Sequence, residues 1–386
     1  MTDVNYFLFG DSSCYSSNAN AYQKINLVLK FFHGKVWVPN KMIDWVPEDF
    51  KTNSNICTYR CPLFFLQYHF LCPVIICIAA LFHVKRTSIV AMSPSSEISF
   101  FSVILLALFK RCHLVLFSWD PPGIMVRDSG RLVARLRCKL LDKLHAWAIL
   151  CSDSEILNLH IGFTDVYKSR TVRKKIFSFP NGTEVQRNQQ VLNGIVHVSG
   201  RIAINSAFVT HKGCWELARL LVRLWKNNHR VSIVWIGFGN EQNAVLKYLH
   251  DSGIPSSNII SPGRVSCSEA LSFLATADFA VNAYHDIPSL RWNYVLKAPE
   301  FLSLGLPVVS VALPGVMEYV RDGENGLLFP PGNWDDAFDK IQYLLSKPQE
   351  IVQMRKNALR TAVCYDWSRI NTRIVKKILN LIPNAG

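Results

Sequence analysis

The residues best suited to chemistry stand in three short clusters. In the first, Ser199-Gly200-Arg201 follows the apolar run 195–198, and Thr210-His211-Lys212-Gly213 opens a helical pattern over 214–225. A diphosphate carries adjacent negative charges, which need cations and free backbone amides; a helix N-terminus supplies the amides. Arg201 and Lys212 are therefore a candidate anion clamp; the competing reading has both solvating the edge of a sheet. In the second cluster, Gly237-Phe238-Gly239 follows an apolar strand pattern and precedes a helix, where ligands bind in open α/β sheets. The third glycine of a dinucleotide fingerprint is missing. In the third, Lys297-Ala298-Pro299-Glu300 leads to Gly305, a β-branched run at Val308-Val309 and the turn Pro314-Gly315-Val316. There Glu300 stands on a helix that ends at glycine, in a ligand-site layout, and could also pair with Lys297 at i, i+3.

Other chemistries lack their residues. The chain has no His-Glu-x-x-His, no Asp-x-Asp, no Walker loop and no Gly-x-Ser-x-Gly. A zinc peptidase, an ATPase and a simple serine hydrolase are unsupported. No bound metal and no cofactor are expected, and a nucleotide would enter as substrate.

These clusters must be carried by a chain of 386 residues, longer than one hydrophobic core usually serves, so two domains are expected. Apolar content of 49% against 18% charged residues excludes a disordered chain. The net charge of +14 is uneven: residues 1–190 hold 22 Lys/Arg against 13 Asp/Glu. A basic first half favours anionic partners such as phosphate groups or a lipid surface. Nucleic acid is not expected, because no zinc-finger or RNA-recognition signature accompanies the charge. The 11 cysteines form no Cys-x-x-Cys pair and read as buried reduced thiols of a cytosolic protein. The first residues show no basic secretory n-region.

Along the chain, a strand is expected at 6–9 and a helix over 19–32. The apolar segment 62–84 is interrupted by Gln67, His69, Pro73 and His83, which suits a buried helix or an interfacial one better than a spanning helix. A second apolar helix covers 98–109, a strand 114–117 and a basic helix 130–146 with Arg131, Arg135, Arg137, Lys139 and Lys143. A strand at 148–151 would lead into a helix cap at Ser152-Asp153-Ser154-Glu155. A strand over 176–179 ends in Pro180-Asn181-Gly182, and 183–193 reads as linker. Beyond it, short strands at 195–198, 232–236, 258–260 and 279–282 alternate with helices at 214–225, 241–249 and 268–276, the pattern of a doubly wound parallel sheet.

From about residue 114 to 370 the motifs resemble the retaining glycosyltransferases of family 4. That resemblance implies an α/β chain of GT-B fold: two Rossmann-like doubly wound parallel-sheet domains facing a cleft. The first would cover 1–185 with a returning C-terminal helix over about 370–386, and the second 186–369. Glu300 matches the second glutamate of the family's Glu-x7-Glu motif, which implies that it accepts hydrogen bonds from the donor's ribose hydroxyls, whereas Trp292 stands at the first; Lys297 matches a branch carrying lysine there. The Gly-Arg and Lys-Gly pairs at Gly200-Arg201 and Lys212-Gly213 are similar to the family's diphosphate clamp, with a longer loop between them. Gly237 and Gly239 match its Gly-x-Gly turn, and Arg264 and Val265 its nucleobase loop. Gly315 and Val316 fall where backbone N–H groups meet the donor, which would explain a residue without Cβ. Trp119-Asp120 replaces the family's His-Asp, leaving Asp120 either to orient an acceptor hydroxyl or to cap the Pro-Pro-Gly turn.

The resemblance implies metal-independent transfer, with retention, from a nucleotide-diphosphate sugar to a glycan or lipid-linked acceptor, in cell-surface polysaccharide or glycoconjugate assembly. The expected location is cytoplasmic, peripheral at an anionic inner membrane face. Trp119 and Trp292 motivate a second class, a catalytically silent module that binds nucleotide or a partner protein. A third, a nucleotide-sugar epimerase, lacks assignable cleft carboxylate and histidine groups.

Overall fold

The computed structural model describes residues 4–7, 27–31, 34–39, 50, 52–59, 89–92, 97–109, 112–118 and 132–381. The chain divides into two compact units, Met1–Phe179 with Ser368–Gly386, and Pro180–Trp367.

The first unit is built on seven parallel strands: β1 (Val4–Phe7), β2 (Lys35–Pro39), β3 (Ile56–Tyr59), β4 (Ile89–Met92), β5 (His113–Ser118), β6 (Ser154–Leu157) and β7 (Ile176–Ser178). They lie in the order β3-β2-β1-β4-β5-β6-β7. Every β5 side chain after His113 is buried, as expected of a central parallel strand covered on both faces. The apolar helix is Glu97–Phe109. The strand expected at 6–9 lies at 4–7, and only Leu27–Phe31 of the helix expected over 19–32 is described. Segment 62–84 lies outside the described residues.

One assignment is corrected here. The basic helix runs Leu132–Cys151 and absorbs residues 148–151, while the strand is β6, at the residues expected to cap a helix. Its polar letters conceal it. Ser154 and Glu155 are fully buried, and Glu155 meets His145 Nε2 at 2.6 Å. His145 Nδ1 lies 2.7 Å from the Tyr167 hydroxyl, and the Phe100 and His145 ring centroids are 5.0 Å apart. The last helix, Trp367–Leu381, buries Ile370, Ile374 and Ile378 at helical spacing. Its Lys377 ammonium stands 3.9 Å over the Phe177 ring.

The second unit carries β8 (Arg201–Asn205), β9 (Ser232–Ile236), β10 (Ile259–Ile260), β11 (Phe279–Asn282), β12 (Val308–Val311) and β13 (Gly326–Phe329). All are parallel, in the order β10-β9-β8-β11-β12-β13. The order reverses between β8 and β11, and such a switch point opens a crevice at the strands' carboxyl ends. Two expectations fail here. The stretch 183–193 contains the helix Val185–Gln190, whose Asn188 donates to Thr183 Oγ1 at 2.7 Å and Ser303 Oγ at 2.9 Å. Residues 195–198 are not a strand: Val196 is 78% exposed, whereas Ile202, Ala203 and Ile204 of β8 are wholly buried.

Removing one partner of a buried hydrogen-bonded pair leaves the other unsatisfied and costs about 1–3 kcal/mol. Glu155→Ala should destabilise the first unit by about that much, and His145→Leu with Glu155→Leu should recover most of it. Hydrogen exchange checks this: in Glu155→Ala, protection should fall in β5 and β6 and persist in β8, β9 and β11.

Candidate active site at the carboxyl edge of the second sheet

The loops leaving β8 and β9 are zipped together by their backbones. Ser206 N–H donates to Ile236 O at 3.1 Å, Phe208 N–H to Phe238 O at 3.2 Å and Glu241 N–H to Phe208 O at 3.1 Å. The Trp235 indole donates to Ser206 O at 3.1 Å while its ring stacks on Phe208, centroids 4.4 Å apart. A Cβ on Gly237 would lie 2.1 Å from Ser206 O, and one on Gly239 2.3 Å from Phe208 O. Glycine is thus required at both positions by the neighbouring loop.

Lys212 ends the single turn Thr210–Lys212, and Gly213 follows at φ 73°, opening the helix Cys214–Asn227. A Cβ on Gly213 would lie 2.3 Å from Ala283 O, so the Lys212 loop is docked on the exit of β11. The first amides of that helix have no acceptor within it and point toward the same edge.

The third cluster arrives on the helix Lys297–Ser303. Lys297 and Lys212 line one hollow of about 360 Å³ with Gly237, Phe238 and Tyr284. Lys297 Nζ donates to Glu300 Oε2 at 3.1 Å, which realises the pairing read from the sequence; the other carboxylate oxygen has no partner among the described residues. Burial lowers the Lys212 pKa, and the nearby Lys297 charge lowers it further. The Tyr284 hydroxyl is pushed far above its ordinary range by burial and then by the Glu300 charge, so it is a neutral donor at any physiological pH.

Several buried polar atoms here have no partner among the described residues: Ser206 Oγ, both amide atoms of Asn282, and Ser310 Oγ. Asn282 and Ser310 are register partners at the carboxyl ends of β11 and β12. A buried polar atom left unpaired costs about 1–3 kcal/mol, so such clustering marks a place where a ligand or water completes the bonding.

The other expected residues scatter. Arg264 reaches the hollow's wall, its guanidinium 3.9 Å from the centre of the Phe238 ring; Val265 packs against the core. Gly200 and Arg201 stand at the opposite rim. Arg201 begins β8 rather than following a strand, so the whole strand separates it from Lys212. Its guanidinium donates to Ser232 Oγ at 3.3 Å and Thr276 Oγ1 at 3.0 Å, and Gly200 N–H to Asp278 Oδ2 at 2.5 Å. The expected pair at one strand end is therefore corrected to Lys212 with Lys297. Gly315 is explained within the protein: a Cβ there would lie 2.0 Å from Asn293 O, and Val316 is buried in the core. Asp120 lies outside the described residues. Cys267 and Cys364, read as buried, are exposed. No three potential metal ligands gather among the described residues. Asn282 and Tyr284 were missed; the available signal was an asparagine ending an otherwise apolar strand.

Residues 195–361, spanning most of the second unit, match the family model described as glycosyl transferases group 1. The second unit is a group 1 glycosyl transferase domain. Over 176 residues the chain is 29% identical to the MMP alpha-(1->4)-mannosyltransferase of Mycolicibacterium hassiacum, covering 45% of this chain and 41% of that protein. The match thus spans less than half of that relative's length. A sucrose-phosphate synthase structure from Thermosynechococcus elongatus superimposes with TM-score 0.72 at 15% identity, covering 99% of both chains. HepE from Anabaena, in complex with UDP, gives TM-score 0.70 at 15% identity over 98% of this chain and 100% of its own. The fold is GT-B, with two Rossmann-like parallel-sheet domains.

Two outcomes follow. Gly315→Ala should destabilise the second unit by about 1–3 kcal/mol, because the Asn293 carbonyl must move. Lys212→Met should raise the Tm of the ligand-free chain, by about 0.5–1 kcal/mol of stability. The sign follows from the lowered pKa: folding disfavours the protonated amine, so this penalty is present at neutral pH and fades only as alkaline pH passes the folded value. Calorimetry at pH 7 measures both.

Proposed function

We propose that this chain is a retaining glycosyltransferase that moves a sugar from a nucleotide-diphosphate donor to a glycan or lipid-linked acceptor, in cell-surface polysaccharide or glycoconjugate assembly. The observation that carries this reading is the convergence of Lys212 and Lys297 in one hollow at the carboxyl edge of the second sheet, beside the start of the helix Cys214–Asn227. The UDP held by HepE and the transferase activity named for the matched relative support a nucleoside diphosphate as leaving group.

In this mechanism negative charge grows on the diphosphate as the glycosidic bond breaks. Lys212, Lys297 and the helix amides stabilise it without rearranging. The unengaged Glu300 oxygen accepts from the ribose hydroxyls, and Phe238, backed by Arg264, offers a flat apolar surface to the base. No side chain acts as nucleophile; the acceptor attacks on the face from which the diphosphate departs, and that phosphate takes its proton. Two cations serve where other transferases use a divalent ion, so turnover should survive EDTA.

Release of nucleoside diphosphate with and without acceptor tests the reading. Lys212→Ala should lower kcat/KM about a hundredfold, the scale of one lost transition-state partner. Arg201→Ala should leave kcat/KM within about threefold and lower stability instead. Tight diphosphate binding with no release from any sugar donor would favour the silent module that Trp292 motivates.

A further inference from the structure

The helix Leu132–Cys151 carries apolar residues both on its buried face and on an exposed stripe flanking it. Cys138, Leu141, Leu144, His145, Ala148 and Ile149 turn into the first unit. Val133, Leu136, Leu140 and Trp147 recur at spacings of three, four and seven, so they form one stripe beside the buried face, with exposures of 77%, 60%, 51% and 48%. A surface helix needs one apolar face to hold its place, and a second is a docking surface. The neighbouring helix Glu97–Phe109 adds exposed Phe101, Leu105, Leu108 and Phe109. Beside the stripe, Arg135, Lys139 and Lys143 are exposed, and none forms an ion pair with a described residue.

We propose that this two-helix face docks the protein on an anionic lipid surface. The charges select the occupant. A second copy packed through the same stripe would bring Arg135, Lys139 and Lys143 toward their own equivalents, and like charges would oppose it. A layer of anionic headgroups complements them and accepts the leucines into the acyl boundary, with Trp147 at headgroup depth. The helix is about 30 Å long and would lie in the membrane plane; no described helix is long and apolar enough to cross a membrane. The docking face gives the lipid-linked acceptor proposed above a surface to come from, and it is measurable without turnover.

Sedimentation of the full chain with phosphatidylglycerol-containing vesicles, against pure phosphatidylcholine, tests the surface. Wild type should bind the anionic vesicles, and 0.5 M salt should release it. Each of Arg135→Gln, Lys139→Gln and Lys143→Gln should weaken binding about fivefold, and Leu136→Gln with Leu140→Gln about tenfold or more. Melting curves and nucleoside diphosphate affinity should be unchanged in all of them, which separates a failure here from a failure of the nucleotide reading. Equal binding by wild type and variants, or binding by none, overturns the proposal. So does a wild-type dimer in light scattering that the leucine variant abolishes, which would give the face to a second copy.

Discussion

The second unit depends on backbone lying directly against backbone at one edge of its sheet. The carbonyls of Ser206, Phe208, Ala283 and Asn293 occupy the space where side chains of Gly237, Gly239, Gly213 and Gly315 would begin, at 2.0–2.3 Å from an ideal Cβ. Loops that follow β8, β9, β11 and β12 therefore nest at a distance no other residue allows. Lys212 and Lys297 are 85 positions apart in the chain, and this nesting brings them to one hollow. The backbone that carries them is set by covalent geometry and sterics, so little rearrangement of the loops is left for a ligand to drive.

That arrangement has an electrostatic cost in the empty state. Lys212 is partly desolvated beside a second cation, while Asn282, Ser206 and Ser310 hold polar atoms with no described partner. A core selected for stability alone would carry none of these. They have meaning together, since an anion with hydroxyl groups relieves the lysine repulsion and the missing hydrogen bonds at once. Functional sites commonly hold such local strain, which the surrounding structure sustains. The buried His145–Glu155 pair of the first unit is a separate polar contact, closed at 2.6 Å by groups of the protein itself.

Much of this was legible in the sequence where local signals agreed. The strands Ser232–Ile236 and Phe279–Asn282 are apolar runs bounded by turns and helices, and their limits can be read directly. Lys212 and Gly237 were visible because each sits between a strand and the next helix, and Lys297 because it stands three residues before Glu300 at the start of a helix. Legibility failed where tertiary contacts overrode pattern. Ser154 and Glu155 look like a cap because the histidine that meets Glu155 comes from the preceding helix and is not visible in the local pattern. Arg201 was misplaced because the 195–198 run imitates a strand, and a slip of one short element moved the arginine from one rim of the sheet to the other. For Gly315 the sequence shows the missing side chain but not the Asn293 carbonyl that fills its place.

The two stretches that join the units are tied to each other inside the second one: Thr183 N–H donates to Tyr365 O at 2.9 Å, Trp367 N–H to Thr183 O at 3.1 Å, and Val185 N–H to Asp366 Oδ2 at 3.2 Å. The second unit is thus continuous in sequence and closed on itself, whereas the first is interrupted and completed only by residues after 367. During synthesis the later-encoded unit has all its parts first. The earlier-encoded one must wait, with the seat for Ile370, Ile374 and Ile378 unfilled, until the last helix leaves the ribosome. In this chain the order of translation and the order of completion are reversed, and the half with the basic apolar face stays unfinished longest.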